Sequence, residues 1–195
     1  MRNLLPQAIR YVKCNNRKRL GWLLSRHPHL KTAVQSGDDD SVLSVASWAN
    51  PGILSWLLEQ GVNPDTSDSD GGTLLMHAAA TNDVALVGLL LDSGANVNAR
   101  NQRGETAFSY TCANNSLAVA QLLYLSGADI NTMDVGGGSP LDWAVCWSSP
   151  EFREWLTSVG GKRHDDSYAP WAWPPVFSGR TCHSEQPPVK DRPCE

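Results

Sequence analysis

The side chains that could do chemistry are few and widely spaced. His77 precedes Ala78-Ala79, Asp142 and Cys146 lie on one helix-period stretch, and a Cys/His/Asp set for nucleophilic catalysis can be drawn from them on paper. No nucleophile-elbow glycine pattern surrounds a Ser or Cys, so a catalytic role is not expected. Gly136-Gly137-Gly138 suggests a phosphate loop but lacks a second glycine at the required spacing and a following Lys-Ser/Thr pair. Cys182-His183 with Cys194 would need a fourth ligand to hold a metal, and neither Cys-x-x-Cys nor His-x-x-x-His occurs. No metal site and no cofactor is therefore expected. The five cysteines (Cys14, Cys112, Cys146, Cys182, Cys194) are an odd, scattered set and do not read as a disulfide framework. The basic run Arg17-Lys18-Arg19, near Arg10, Lys13, Arg26 and Lys31, could hold phosphate. No recognisable nucleic-acid motif accompanies it, which argues against nucleic acid as the main partner.

A chain of 195 residues with 41% hydrophobic residues can build a core. No stretch reaches the roughly 18 apolar residues of a membrane helix. The opening Met1-Arg2-Asn3-Leu4-Leu5-Pro6 has no apolar run long enough for a secretory signal, so a soluble, cytoplasmic protein is expected. The net charge of −4 conceals an asymmetry: residues 1–37 carry eight Lys/Arg and no Asp/Glu, whereas residues 38–99 carry nine Asp/Glu and no Lys/Arg. Such a distribution marks contact surfaces of opposite sign, or two adjacent segments that complement each other.

The elements that must position these residues recur with one fixed period, the interval from Gly61 to Gly94. Gly61, Gly94, Gly127 and Gly160 each close an apolar run, from Trp56-Leu57-Leu58 through Leu89-Leu90-Leu91 and Leu122-Leu123-Tyr124 to Trp155-Leu156-Thr157. Thr73, Thr106 and Ser139 each stand two places after a glycine and begin a helix-period stretch. Asn50, Asp83, Ser116 and Ser149 form a third column, all able to cap a helix N-terminus, and Pro51 and Pro150 then take the first helical position. Each unit reads as a short helix, a tight turn, a second helix stopped by glycine, and an extended connection.

This pattern resembles the ankyrin repeat. Gly71-Gly72-Thr73-Leu74-Leu75-Met76-His77-Ala78-Ala79 through Val84 to Ala99 is similar to the family pattern nearly end to end, although the Thr-Pro-Leu-His signature survives only in part (Thr73-Leu74-Leu75-Met76, Thr106-Ala107-Phe108-Ser109, Ser139-Pro140-Leu141-Asp142). The resemblance implies an all-α ankyrin-repeat solenoid of about five helix-turn-helix units with hairpin fingers near residues 61–71, 94–104 and 127–137. Residues 1–37 are expected to form a basic N-terminal capping repeat, with Leu20, Leu23 and Leu24 in the column of Ile53, Trp56 and Leu57. Four repeats follow at 38–70, 71–103, 104–136 and 137–164. Terminal units of such stacks need a polar outer face, which the charged Glu151-Phe152-Arg153-Glu154 supplies. The column Leu57, Leu90 and Leu123 is expected to be buried. Residues 165–195 hold six of the twelve prolines together with Tyr168, Trp171, Trp173 and Phe177. This Pro/Trp-rich extension reads either as rings folded back on the last repeat, the preferred reading, or as a polyproline-type ligand.

The resemblance also implies where a partner binds. In ankyrin proteins the first helix of each unit lines a concave face, and its variable positions carried over by register are Ser47 and Trp48; His77, Ala80 and Thr81; Tyr110, Ala113 and Asn114; Trp143, Cys146 and Trp147. The fingers add Asp65, Asp68, Asp70, Arg100 and Arg103, the acidic trio being expected to attract a basic partner. Asp68, Asn101 and Asp134 share a finger column in which Asx side chains bond their own backbone. The expected function is non-enzymatic: an adaptor or inhibitor that docks another protein. One alternative is an immunity-like or anti-defence inhibitor whose acidic surface blocks a basic enzyme such as a nuclease. The other is nucleic-acid contact through the basic N-terminal unit.

Overall fold

The computed structural model describes residues 10–11, 16–27 and 51–163. Within them the chain forms eight helices: α1 (Arg17–Arg26), α2 (Pro51–Glu59), α3 (Leu74–Ala80), α4 (Val84–Asp92), α5 (Ala107–Asn114), α6 (Leu117–Leu125), α7 (Pro140–Trp147) and α8 (Pro150–Ser158). No strand forms among the described residues; one isolated antiparallel bridge joins Ser67 and Thr73. The expected N-terminal boundary at residue 37, the cap Asn50 and the extension 165–195 lie outside the described residues.

Side chains that accept from the first free backbone N–H groups set the helix starts. Thr73 Oγ1 accepts from Met76 N at 3.4 Å, Asp83 Oδ1 from Leu86 N at 3.0 Å, and Ser149 Oγ from Phe152 N at 3.3 Å. Thr106 with Ser109, and Ser139 with Asp142, close reciprocal capping boxes. Ser116 corrects the expectation: it stands at the N-cap of α6 but makes no side-chain cap bond. Its ψ is 68°, well short of the 157–168° at the other Ser and Thr caps, and its side chain is an atom shorter than that of Asp83, which caps at ψ 92°. The Ser116 hydroxyl is left buried without a hydrogen-bond partner among the described residues.

Two layers result. α3, α5 and α7 pack side by side, each against its own second helix, while α2, α4 and α6 line the second layer. α8 joins that layer through Trp155, whose ring meets Tyr124 edge-on at 6.0 Å and Phe152 at 5.8 Å. The pairs Leu54/Leu57, Val87/Leu90 and Ala120/Leu123 are buried one period apart, so the column Leu57, Leu90, Leu123 lies inside as expected. In the first unit Leu20 shares the column of the buried Leu86, Val119 and Phe152, and the buried Leu23 that of the half-buried Trp56, Leu89 and Leu122. The side chains of Leu24 and Ile53 lie outside the described residues. The sequence has Pro28 where later units have a stop glycine. Gly21 lies against α2, since a Cβ there would sit 3.4 Å from the Trp56 ring.

The fingers repeat bond for bond. Asp68 N donates to Gly72 O, Asn101 N to Glu105 O and Asp134 N to Gly138 O, all at 2.9–3.0 Å. Adjacent fingers are joined by Gln102 N to Asp70 O at 2.9 Å and Val135 N to Arg103 O at 2.8 Å. Gly104 shows why the finger needs glycine. Its φ is +75°, and a Cβ would meet Val135 N at 3.1 Å and the Arg100 guanidinium at 2.7 Å.

Candidate partner-binding face

Each finger turn is closed by its Asx residue, and the rest of that side chain reaches a ring on the helix that follows. Asp68 Oδ1 accepts from Asp70 N at 3.0 Å and Gly72 N at 2.7 Å, while Oδ2 lies 3.0 Å from His77 Nε2. An ionised carboxylate only accepts, so Nε2 is the donor of that contact. Asn101 Oδ1 accepts from Arg103 N and Glu105 N, both at 2.9 Å, and its Nδ2 donates to Glu105 Oε2 at 2.7 Å and Tyr110 OH at 3.2 Å. Tyr110 OH in turn donates to Glu105 Oε2 at 3.0 Å. Asp134 Oδ1 accepts from Gly136 N and Gly138 N, and Oδ2 accepts from Trp143 Nε1 at 2.9 Å.

The ring positions therefore do not swing freely. Tyr110 is half-buried, and burial first, then the Glu105 charge and hydrogen bond, push its hydroxyl pKa well above the ordinary tyrosine value, so it stays a neutral donor. His77 keeps about a quarter of its side chain exposed. Trp143 departs from expectation: with its indole N–H tied to Asp134, only 6% is exposed, and it serves the core rather than a ligand-facing surface. Trp147 is half-buried against the core, and its Nε1 is buried without a hydrogen-bond partner among the described residues. Thr81 bonds back to the carbonyls of His77 and Ala78, and Asn114 Nδ2 donates to Tyr110 O at 3.0 Å. Both remain exposed beside the rings. Ser47 and Trp48 lie outside the described residues.

The finger charges are also more committed than their types suggest. Asp68 is spent on its turn and His77, and Asp65 Oδ1 accepts from Asn96 N at 2.6 Å; Asp70 is the exposed member of the trio. Arg100 Nε donates to Gly104 O and its Nη2 to Met133 O, tying one finger to the next. Arg103 is half-buried, and its charge acts on Tyr110.

Of the Cys/His/Asp set drawn on paper, Cys146 is half-buried on α7. Cys112, outside that set, is fully buried, and loss of hydration holds its thiol far above the ordinary range. Asp142 is buried at the start of α7, accepting from Ser139 N at 3.0 Å and Ser139 Oγ at 2.6 Å and, at its other oxygen, from Arg163 Nε at 3.1 Å. Among the described residues no group of three or more His, Cys, Asp or Glu is placed to hold a metal ion. No helix among them is long and apolar enough to cross a membrane.

Sequence reasoning missed Glu105 and Asp134 as partners of the rings and Arg163 as the partner of the buried Asp142. Only Asp134 was marked by a visible signal: an Asx residue at one constant distance before each ring, repeated with the period of the units as Asp68/His77, Asn101/Tyr110 and Asp134/Trp143.

The family model for ankyrin repeats (3 copies) matches residues 10–101, 43–134 and 87–165. A search of curated proteins finds no match to the chain. The matched segments together run through the paired helices, the fingers and the ring column, and the chain belongs to the ankyrin-repeat family.

Proposed function

We propose that this chain is a protein-interaction module, an adaptor or inhibitor that docks one partner on the exposed side of α3, α5 and α7 and on the fingers. Ankyrin repeats generally bind other proteins and are typically not enzymes. The observation that carries the reading is the ring column. His77 and Tyr110 are half-exposed yet held by Asp68, Asn101 and Glu105, with Thr81, Asn114 and Trp147 on or beside the same helices. Side chains ordered before binding lose little entropy on binding, which favours affinity. Asp65 and Asp70 on the first finger favour a partner with a basic surface, including a basic enzyme such as a nuclease in the inhibitor form of the reading. Arg100 and Arg103 border that acidic patch on the second finger.

Affinity capture from native lysate with the full chain tests the module reading. A partner whose binding is lost in a Tyr110→Ala, Trp147→Ala double variant supports it; a retained partner indifferent to both sinks the face as the docking surface. One observation favours a second reading. On α1, Lys18, Arg19 and Arg26 share an exposed side with Trp22, which is 59% exposed and has the Arg26 guanidinium 5.5 Å from its ring centre. Cations around an exposed ring suit stacked, phosphate-bearing strands. Binding of single-stranded RNA that weakens steeply with salt and is abolished by Trp22→Ala would favour this reading over the first.

A further inference from the structure

The first two fingers each accept one backbone hydrogen bond from the finger that follows. Gln102 N donates to Asp70 O and Val135 N to Arg103 O, one period apart. Gly136 stands next in that acceptor column, and among the described residues nothing donates to its carbonyl. The last turn has no donor of its own left to offer. Every N–H from Asp134 to Gly138 is bonded, those of Asp134, Val135 and Gly137 to backbone carbonyls and those of Gly136 and Gly138 to Asp134 Oδ1.

Residue types change along the same edge. Where the first two fingers carry Ser67 and Arg100, Ser69 and Gln102, and Asp70 and Arg103, the last carries Met133, Val135 and Gly136. In the middle finger two of these side chains tie neighbours together, Arg100 Nη2 to Met133 O and Gln102 Nε2 to Ser69 O at 2.8 Å. Met133 and Val135 carry no donor and are 43% and 65% exposed. The turn does not need a glycine at 136. Asp70 and Arg103 hold that place in the other fingers, the positive φ belongs to Gly137, and a Cβ on Gly136 would meet only Asp134 Oδ1, at 3.2 Å. Proteins blunt an exposed edge with charge, and a glycine at an edge marks the close approach of another backbone. Here the charge is gone, the glycine is present and a backbone acceptor is unspent. We propose that the outward edge of the last finger docks an extended, uncharged segment of a partner protein, whose backbone N–H donates to Gly136 O and whose apolar side chains cover Val135 and Met133. A second copy of this chain does not fit, because its matching turn would bring acceptors alone. The inference is independent of what binds the ring column.

The test titrates the full chain with the blocked peptide acetyl-Thr-Val-Thr-Val-Thr-amide and follows the backbone amide signals by NMR. Saturable shifts are expected at Val135, Gly136 and Gly137, and Tyr110→Ala leaves them in place. The same peptide N-methylated at every residue, which has no backbone donors, binds at least about tenfold more weakly, the worth of one hydrogen bond. Val135→Gln combined with Gly136→Arg gives the last finger the residues of the middle one, so the turn still forms, and it weakens binding to a similar degree while the Leu90 amide signal stays where it was. No shift at these three amides up to about 10 mM peptide overturns the proposal. So does equal binding of the methylated peptide, or unchanged binding in the double variant. Shifts of the same amides on concentrating the chain alone would make a second copy the occupant and overturn it as well.

Discussion

The middle finger and its two neighbours build the same turn with opposite hydrogen-bond polarity. In the outer fingers the Asx residue is aspartate, Asp68 and Asp134, and the ring it reaches presents an N–H, from His77 Nε2 or Trp143 Nε1. In the middle finger it is Asn101, whose Nδ2 meets oxygens, those of Tyr110 and Glu105. One oxygen of each Asx closes the turn in all three. The remaining atom is matched to the ring: an acceptor where the ring donates, a donor where it faces a carboxylate. Conformation fixes the turn, and side-chain chemistry then decides which ring it can hold.

The three fingers rest on one core, and the largest expected effect tests that shared base. Leu90 is fully buried between the first and second fingers' repeats, and Leu90→Ala is expected to cost about 2–5 kcal/mol in denaturant unfolding. A loss well under about 1 kcal/mol would show that the register of the repeats is misread. Trp143 belongs on the same scale: it is nearly buried, and its truncation to alanine is expected to cost about 3–5 kcal/mol, whereas the quarter-exposed His77 should cost far less.

Swapping the Asx types sharpens the comparison directly. Asp134→Asn places an amide N–H or leaves a turn N–H unpaired opposite the Trp143 indole, with an expected cost of about 1–3 kcal/mol. Asn101→Asp is the reverse error. It sets a second carboxylate against Glu105 and removes the donor from Tyr110, and its cost should be of similar size at neutral pH. The sign with pH follows. A like charge raises the carboxyl pKa in the folded state above its unfolded value, so the folded state binds protons more readily and the penalty shrinks as pH falls through the carboxylate range. Chemical denaturation from neutral to acidic pH, against the unaltered chain, reads this. A penalty that is constant or grows on acidification would remove the polarity argument.

Much of this was legible in the sequence. The stop glycines, the Thr/Ser starts and the constant spacing between them marked the helix pairs and the buried Leu57, Leu90, Leu123 column, because each follows from local backbone chemistry. The Asx turn column was legible for the same reason. Two features were not. The idle hydroxyl of Ser116 depends on a backbone angle. The burial of Trp143 and the tying of His77 and Tyr110 depend on which way long side chains point, and family position alone marks all three as facing a ligand.

If the face binds as proposed, the middle ring should matter more than the outer ones. Tyr110 is half-exposed and doubly held, so Tyr110→Ala should cost binding roughly 2 kcal/mol with the fold retained. His77→Ala should cost less, and Thr81→Ala and Asn114→Ala less again. Calorimetric titration with the captured partner reads the order, and a variant series in which His77 outweighs Tyr110 would reverse the ranking.

The smallest effect comes from a mismatch in the loop column. Asn98 and Asn131 each accept from the next repeat with Oδ1 and donate with Nδ2 to a glycine carbonyl, Gly127 O at 3.1 Å and Gly160 O at 3.2 Å. Asp65 holds the same place and accepts from Asn96 N, but a carboxylate has no N–H to offer the carbonyl of Gly94, which occupies the matching position. Asp65→Asn supplies that donor while giving up the charge of a 2.6 Å bond, so the net gain in stability should be small, about 0.5 kcal/mol. The charge itself is the other half of the argument. An aspartate where asparagine fits the stack better is what an acidic docking surface would retain, since peripheral charges act mainly on the encounter rate. Asp65→Asn should therefore stabilise the chain slightly and slow association with a basic partner, most at low salt, with dissociation unchanged. A variant that is more stable and associates just as fast at every ionic strength would separate Asp65 from the binding surface and leave Asp70 as the finger carboxylate that matters.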